Sequence, residues 1–280
     1  MPILWLASFP KSGNTWVRAL LANYLVGGDA PVSINKLPEF AFGDSQLSIY
    51  ERVAGRPLPN ATVADLMPFK AKAHALLAGD GKRLVFAKTH NALTRIAGQP
   101  TITPAVTAGA IYILRNPLDV VLSYADHYGL THAQTVEAMA SDSLITQGRV
   151  DRAPEHLGRW SNHVRGWTTA PGLARVVLRY EDLIADAEGE LRRILAFLRQ
   201  PIDEDRLARA VAHSSFETMA NQEALTGFKE RSKNQRRFFR AGRSGQWREA
   251  LAPDLVAAVV AAHGEVMAAH GYLDDNGDPI

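Results

Sequence analysis

The chain has 280 residues, 46% of them hydrophobic, no cysteine and a formal net charge of +2. A chain of this size can bury a full core, so one domain over residues 1–280 is expected, and the lack of cysteine excludes disulfides, thiolate metal ligands and a cysteine nucleophile. The balanced charge gives no global field for nucleic acid, no apolar run approaches the roughly 18 residues of a membrane span, and the N-terminus lacks a basic, cleavable leader; a soluble cytoplasmic protein is expected.

Ile3, Leu4, Trp5 and Leu6 form the short continuous apolar run of a strand covered on both faces. Pro10 and Gly13 interrupt it, and Val17, Leu20, Leu21, Tyr24 and Leu25 then recur at helical spacing. The turn between them sits at a helix N-terminus. There the unpaired backbone N–H groups, the positive end of the macrodipole, Lys11 and the hydroxyls of Ser12 and Thr15 predict an anion site. A Walker loop is disfavoured, because the lysine precedes the glycine and no upstream glycine exists. Residues 27–84 alternate Gly/Pro turns with short helical patterns, which fits either a pocket-shaping insert or a plain connection. Leu84–His90 reads as a second strand, with Lys88 and His90 at the carboxyl edge where ligands gather in doubly wound sheets. On its own, a histidine there fits a structural role as well.

Ala110–Leu114 is a third strand, running into Arg115-Asn116-Pro117 and a helix that Pro117 suits at its first turn. Arg115 at the strand end and Ser123 two turns into the helix can converge on one phosphate. His127, His132, His156 and His163 have no close metal-ligand spacing, so they read as surface or pocket residues and no metal centre is expected. Leu173–Asp182 is another strand and edge, and Glu188–Phe197 has helical periodicity. From 229 to 243 seven of fifteen residues are Lys or Arg, interleaved with Phe238 and Phe239; composition alone fits a solvated face or a nucleic-acid patch. Leu251–Gly271 is an alanine-rich helical pattern. Strand–loop–helix units in this succession predict an α/β domain with a central parallel sheet flanked by helices.

Several of these segments resemble one family. Pro10-Lys11-Ser12-Gly13-Asn14-Thr15-Trp16 is similar to the loop with which sulfotransferases grip the 5′-phosphate of 3′-phosphoadenosine 5′-phosphosulfate (PAPS). Lys88-Thr89-His90 resembles the family's Lys-x-His segment, which bears the catalytic base. Arg-Asn-Pro-x-Asp-Val-x-x-Ser-Tyr, from Arg115 to Tyr124, matches its 3′-phosphate motif. Tyr180-Glu181-Asp182 and Ser214-Ser215-Phe216-Glu217-Thr218-Met219 look like the segments beside the adenine nucleotide. Phe238 to Trp247 resembles the closing segment Phe-x-Arg-Lys-Gly-x-x-Gly-x-Trp, except that Ala241 stands where lysine is usual, with Arg243 as a candidate substitute.

The resemblance spans residues 5–247 in order and points to a cytosolic-type sulfotransferase domain in a short, bacterial-like form. It implies a P-loop-like fold and metal-free transfer of the sulfuryl group from PAPS to a hydroxyl or amine of a small-molecule acceptor, with adenosine 3′,5′-bisphosphate as product and no nucleic-acid partner. By the same resemblance His90 is the base, Lys11 serves the leaving oxygens and Lys88 orients the reacting groups. The nucleotide site is Lys11, Ser12, Gly13, Asn14, Thr15, Trp16, Arg115, Ser123, Tyr180, Ser214, Phe216, Met219, Phe239, Arg240, Ala241 and Gly242, with Trp16 and Phe216 flanking adenine. Three other readings stand beside it: a small-molecule kinase needing Mg²⁺, a nucleic-acid-binding protein using 229–243, and a nucleotide sensor that makes no use of His90.

Overall fold

A computed structural model of the protein describes residues 2–80 and 83–280. Its centre is β1 (Ile3–Ser8), buried at all six positions. Beside β1 lie β2 (Phe42–Gly43) and β3 (Val85–Thr89) on one side and β4 (Thr107–Leu114) and β5 (Arg175–Arg179) on the other, in the parallel order β2-β3-β1-β4-β5. The predicted parallel sheet is thus observed. The register pairs Ala7 with Thr89, Ser8 with Ile113 and Leu114 with Arg179, so the strands end at one common edge.

Alternation along β1 explains the two layers. Ile3, Trp5 and Ala7 face one core with Tyr112, Leu118, Trp160 and Trp167; Leu4 and Leu6 face the other with Val17, Leu20, Leu21 and Leu191. Burial on both faces is why the strand reads as an unbroken apolar run. The second layer is α1 (Asn14–Val26), directly after the turn. Residues 27–84 fold mainly as α2 (Leu47–Ala54) and α3 (Val63–Ala78), the latter opened by a reciprocal Thr62/Asp65 capping box. On the other face α4 (Pro117–Tyr128) begins at Asn116, whose side chain accepts from the Leu118 N–H, and it packs with α5 (Trp160–Thr169).

Between α4 and α5 the chain forms an irregular hairpin. Ile145 pairs with His156, and Arg149 with Arg152, across a turn at Val150 and Asp151. Backbone bonds tie it to the sheet edge: Ala153 N–H donates to Ser45 O at 2.7 Å and Ala92 N–H to His156 O at 2.7 Å. Beyond β5, α6 (Phe216–Thr226) and the segment 227–246 return over the first loop, and α7 (Pro253–Ala269) closes the first layer. Among the described residues no helix is long and apolar enough to cross a membrane.

Candidate active site

The carboxyl edge of the sheet opens into a cleft enclosing about 1560 Å³, part of it open solvent. The expected turn lies between β1 and α1 at this edge. Gly13 adopts φ 107°, where L residues are strained, and a Cβ there would lie 2.7 Å from the Tyr180 ring. No side chain caps α1 and its first turn has no acid, so the positive helix end is left for an anion. Lys11 also has positive φ, 69°, and its Nζ sits 3.8 Å from the centre of the Phe238 ring. Burial, then the neighbouring charges of Lys88 and Arg115, lower its pKa to about 7. Ser12 Oγ, Trp16 Nε1 and Arg115 Nε are buried without a protein partner.

Arg115 leaves the end of β4 to lie 4.3 Å over the Tyr180 ring, and it donates to Lys11 O at 3.2 Å and Arg243 O at 3.5 Å. It therefore bridges the first loop and the closing segment. Asp119, one turn into α4, anchors that segment by accepting from Gly245 N–H at 2.7 Å and Trp247 N–H at 3.2 Å. Trp16 meets Tyr180 edge to face at 5.8 Å, and Phe216 meets Phe239 in the same way at 6.5 Å. Phe228, Phe238 and Phe239 pack with Met219, and Glu223 accepts from the Phe238 and Phe239 N–H groups. The aromatics of the basic tract thus pack against one another and against α6, and Phe238 and Phe239 also line the cleft.

His90 is fixed at three points. Its N–H donates to Glu155 Oε1 at 2.7 Å, its carbonyl accepts from His163 Nε2 at 3.0 Å, and its Nδ1 donates to Ser8 O at 2.8 Å. A carbonyl can only accept, so the ring proton resides on Nδ1 and Nε2 keeps its lone pair. Burial, then the Lys88 charge, holds the ring well below its ordinary pKa of 6.5, so it is neutral at physiological pH. Glu155 is itself pushed up to about 7 by burial and by Asp44. Lys88 Nζ lies 3.6 Å from Glu230, which also takes a bidentate pair from Arg18 at 2.8 and 2.7 Å. Burial alone would raise the Glu230 carboxyl, but Arg18 and then Lys88 overcome it and hold it well below its usual range.

The cleft brings together Lys11, Gly13, Asn14, Thr15, Trp16, Lys88, His90, Arg115, Ser123, Tyr180, Phe216, Met219, Phe239, Arg240, Ala241 and Gly242. Two expected residues lie behind its wall. Ser12 is 1% exposed just beneath the loop; Ser214 is a correction, being wholly buried with its hydroxyl accepting from Asn23 Nδ2 at 2.9 Å, which joins α1 to the end of the helix Glu204–His213. Asn14 turns its amide inward to Leu6 O at 2.9 Å and so holds the turn to β1. The Arg243 side chain pairs with Glu249 at 3.4 Å. His163, read as a surface or pocket residue, is fully buried and bonded to Tyr112, because Phe9, Tyr112 and the His90 carbonyl surround it.

Sequence reasoning missed Ser8, Arg18, Glu155 and Glu230. Glu230 had left a signal, as the single acid among the seven cations of 229–243. Of the described residues in 27–84 only Ser45 reaches the cleft, whereas 125–165 contributes His127, Tyr128, Thr146, Gln147, Arg149, Arg152, Ala153 and Glu155. Among the described residues no three His, Asp or Glu side chains gather to hold a metal ion.

A parallel sheet whose first loop, second strand end and third strand end converge on one cationic cleft defines an α/β protein with its candidate site at the carboxyl edge, where ligands gather in such sheets. The profile of the sulfotransferase domain matches residues 2–271, and the chain belongs to that family. It is 26% identical to sulfotransferase 2B1 of Mus musculus over 257 residues, covering 88% of this chain and 65% of that protein. With sulfotransferase 2B1 of Homo sapiens the identity is 27% over 220 residues, covering 77% and 51%. With sulfotransferase 1 family member D1 of Rattus norvegicus it is 28% over 251 residues, covering 87% and 76%. The chain thus spans 65% and 51% of the two 2B1 proteins. In three dimensions it resembles retinol dehydratase in complex with androsterone and the inactive cofactor PAP, with TM-score 0.65 and 20% identity over 95% of this chain and 80% of that one. It also resembles mouse sulfotransferase SULT7A1 complexed with PAP, at 0.60 and 20%, over 99% and 87%. The shared fold is the P-loop-like sheet flanked by helices expected from the sequence.

Proposed function

We propose that this chain transfers the sulfuryl group of PAPS to a hydroxyl or amine of a small-molecule acceptor. The observation that carries the reading is His90, a neutral histidine with Nε2 free, set in one cleft with Lys11, Lys88 and Arg115. Family membership and the solved structures of similar fold in complex with PAP support the donor. The residues suit it: Trp16 Nε1 and Arg115 Nε, on residues that line the cleft, are buried without partners, and Gly13 and Gly242 both have positive φ beside the rings of Tyr180 and Phe216. Arg115, Ser123 and Arg240 would take the 3′-phosphate, the loop from Lys11 to Thr15 the 5′-phosphate, and Trp16 and Phe216 the adenine.

PAPS supplies the sulfur to be attacked. Nε2 of His90 accepts the acceptor's proton as the acceptor oxygen or nitrogen bonds to sulfur. The Lys11 ammonium stabilises the charge that develops on the departing phosphate oxygen, and Lys88 positions the groups between them. Fixed cations and positioning supply most of the acceleration in reactions of this loose type. The test is His90→Ala with an acceptor of high pKa. Turnover is expected to fall by roughly 10²- to 10⁴-fold, the usual worth of a general base, while calorimetric affinity for adenosine 3′,5′-bisphosphate stays near wild type. Wild-type turnover in the variant would remove His90 from the reaction.

A further inference from the structure

The geometry points to an acceptor that carries its own anionic group, a carboxylate or phosphate held by Arg149 and Arg152 across the cleft from the nucleotide loop. This deepens the reading as a PAPS-dependent transferase and rests on it. Arg149 and Arg152 form an antiparallel pair in the hairpin, joined by Arg149 N–H to Arg152 O at 2.8 Å and the reverse bond at 3.2 Å. Directly opposed residues of a hairpin project from the same face, and both line the cleft. Neither guanidinium forms an ion pair among the described residues, whereas Arg159, Arg165, Arg192 and Arg193 each have a carboxylate.

The position separates these two arginines from the donor's cations. The hairpin is clamped to the two residues after His90, through His156 N–H to Asn91 Oδ1 at 2.9 Å and Ala92 N–H to His156 O at 2.7 Å. Glu155, three residues beyond Arg152, holds the His90 N–H. The Arg149 charge bears on His127 and Tyr128, and that of Arg152 on Lys88, Glu230 and Tyr128, whereas the cations that act on Lys11 of the first loop are Lys88 and Arg115. The surrounding wall is polar, with Ser45, Thr146 and Gln147. Glu230 is already committed to Arg18 and Lys88, so neither arginine has a carboxylate of its own among the described residues and both are open to an anionic ligand.

The experiment uses the full chain, PAPS and two phenols of one skeleton, 3-(4-hydroxyphenyl)propanoate and its methyl ester, which share the nucleophile and differ in the charge and one methyl group. The carboxylate is expected to give a kcat/KM roughly 10- to 100-fold higher, the worth of one charge-assisted hydrogen bond. In Arg149→Ser/Arg152→Ser that ratio should fall to about one. Calorimetry with adenosine 3′,5′-bisphosphate on both proteins reports the donor site separately. Equal use of the two phenols, turnover of neither, or a ratio that survives the double substitution overturns the proposal. A double variant that loses bisphosphate affinity but keeps the ratio also overturns it, by assigning the arginines to the donor. Failure of the wild type to bind bisphosphate would instead remove the functional reading beneath it.

Discussion

Removing Glu230 should cost more stability than any contact on the protein's surface. The Arg18 side chain is 1% exposed and that of Glu230 9%, and two N–H···O bonds of 2.8 and 2.7 Å join them. Glu230→Ala leaves a guanidinium that cannot lose its proton inside the protein, with Thr15 Oγ1 at 3.1 Å as its remaining partner. Breaking a buried pair from one side costs about 3–5 kcal/mol, while replacing both members by apolar groups is often close to neutral. Urea unfolding followed by tryptophan fluorescence should therefore show Glu230→Ala destabilised by about 3–5 kcal/mol. The double variant Arg18→Met/Glu230→Leu should recover more than about 2 kcal/mol of that loss, a coupling within the range for contacting residues. The pH dependence has a defined sign. Glu230 has a folded pKa well below its ordinary 4.5, so its contribution is complete above about pH 4.5 and is lost only as pH falls through the folded value. The gap between wild type and Glu230→Ala should accordingly stay constant from pH 8 to about 5 and narrow in stronger acid. A loss under about 1 kcal/mol, as for an exposed pair, or single effects that simply add, would refute the argument.

Two further predictions concern the nucleotide. With the Lys11 pKa near 7 in the free protein, an arriving phosphate must bring a proton to Lys11 above that pH. Calorimetric affinity for adenosine 3′,5′-bisphosphate should therefore fall by up to about tenfold per pH unit above 7, and Lys11→Arg, whose charge is permanent, should abolish the slope; a flat wild-type profile would mean that Lys11 is charged before the ligand binds. Adenosine 3′,5′-bisphosphate should bind at least about 10²-fold tighter than AMP, because the 3′-phosphate adds two charge-assisted contacts worth roughly 1.5–3 kcal/mol each, and Arg115→Ala should remove most of that difference; equal wild-type affinities would end the case for a PAPS site.

How far the sequence could be read follows from which contacts are local. The unbroken apolar run Ile3–Leu6 gave a strand covered on both faces because β1 has one layer on each side, and Gly13 marked the turn because its φ of 107° tolerates no Cβ beside Tyr180. Lys88, His90 and Arg115 were legible as strand-end residues, since parallel strands deliver their carboxyl ends to one edge. The hairpin 145–156 was not, because it is held by backbone bonds to Ser45 and Ala92 and by the Asn91 side chain, far away in sequence, rather than by alternating apolar residues. Ser214 misled for a related reason: its hydroxyl matched the family pattern, but Asn23 claims it from α1. A spacing argument also missed that Asp119 and Glu181 act on the backbone. The first holds Gly245 and Trp247; the second accepts from Asn116 N–H at 3.0 Å and from the Tyr272 hydroxyl at 2.9 Å.

One physical cause, burial of the side chains themselves, lowers the pKa of His90 and of both lysines. Desolvation disfavours every charged form, so it favours the neutral His90 ring and by the same action lowers Lys11 and Lys88. The two lysines are then distinguished by their partners. Lys88 faces Glu230, whose carboxylate opposes the effect of burial, whereas Lys11 rests on the Phe238 ring and forms no ion pair among the described residues. Lys11 is therefore the cation whose charge an incoming phosphate would complete. Glu230 and Phe238 both belong to the segment that closes over the loop, so its docking governs both lysines at once. The Arg18–Glu230 pair ties that segment to α1, the helix that follows the first loop, so the placement of the basic tract and the electrostatics of the cleft depend on one buried ion pair.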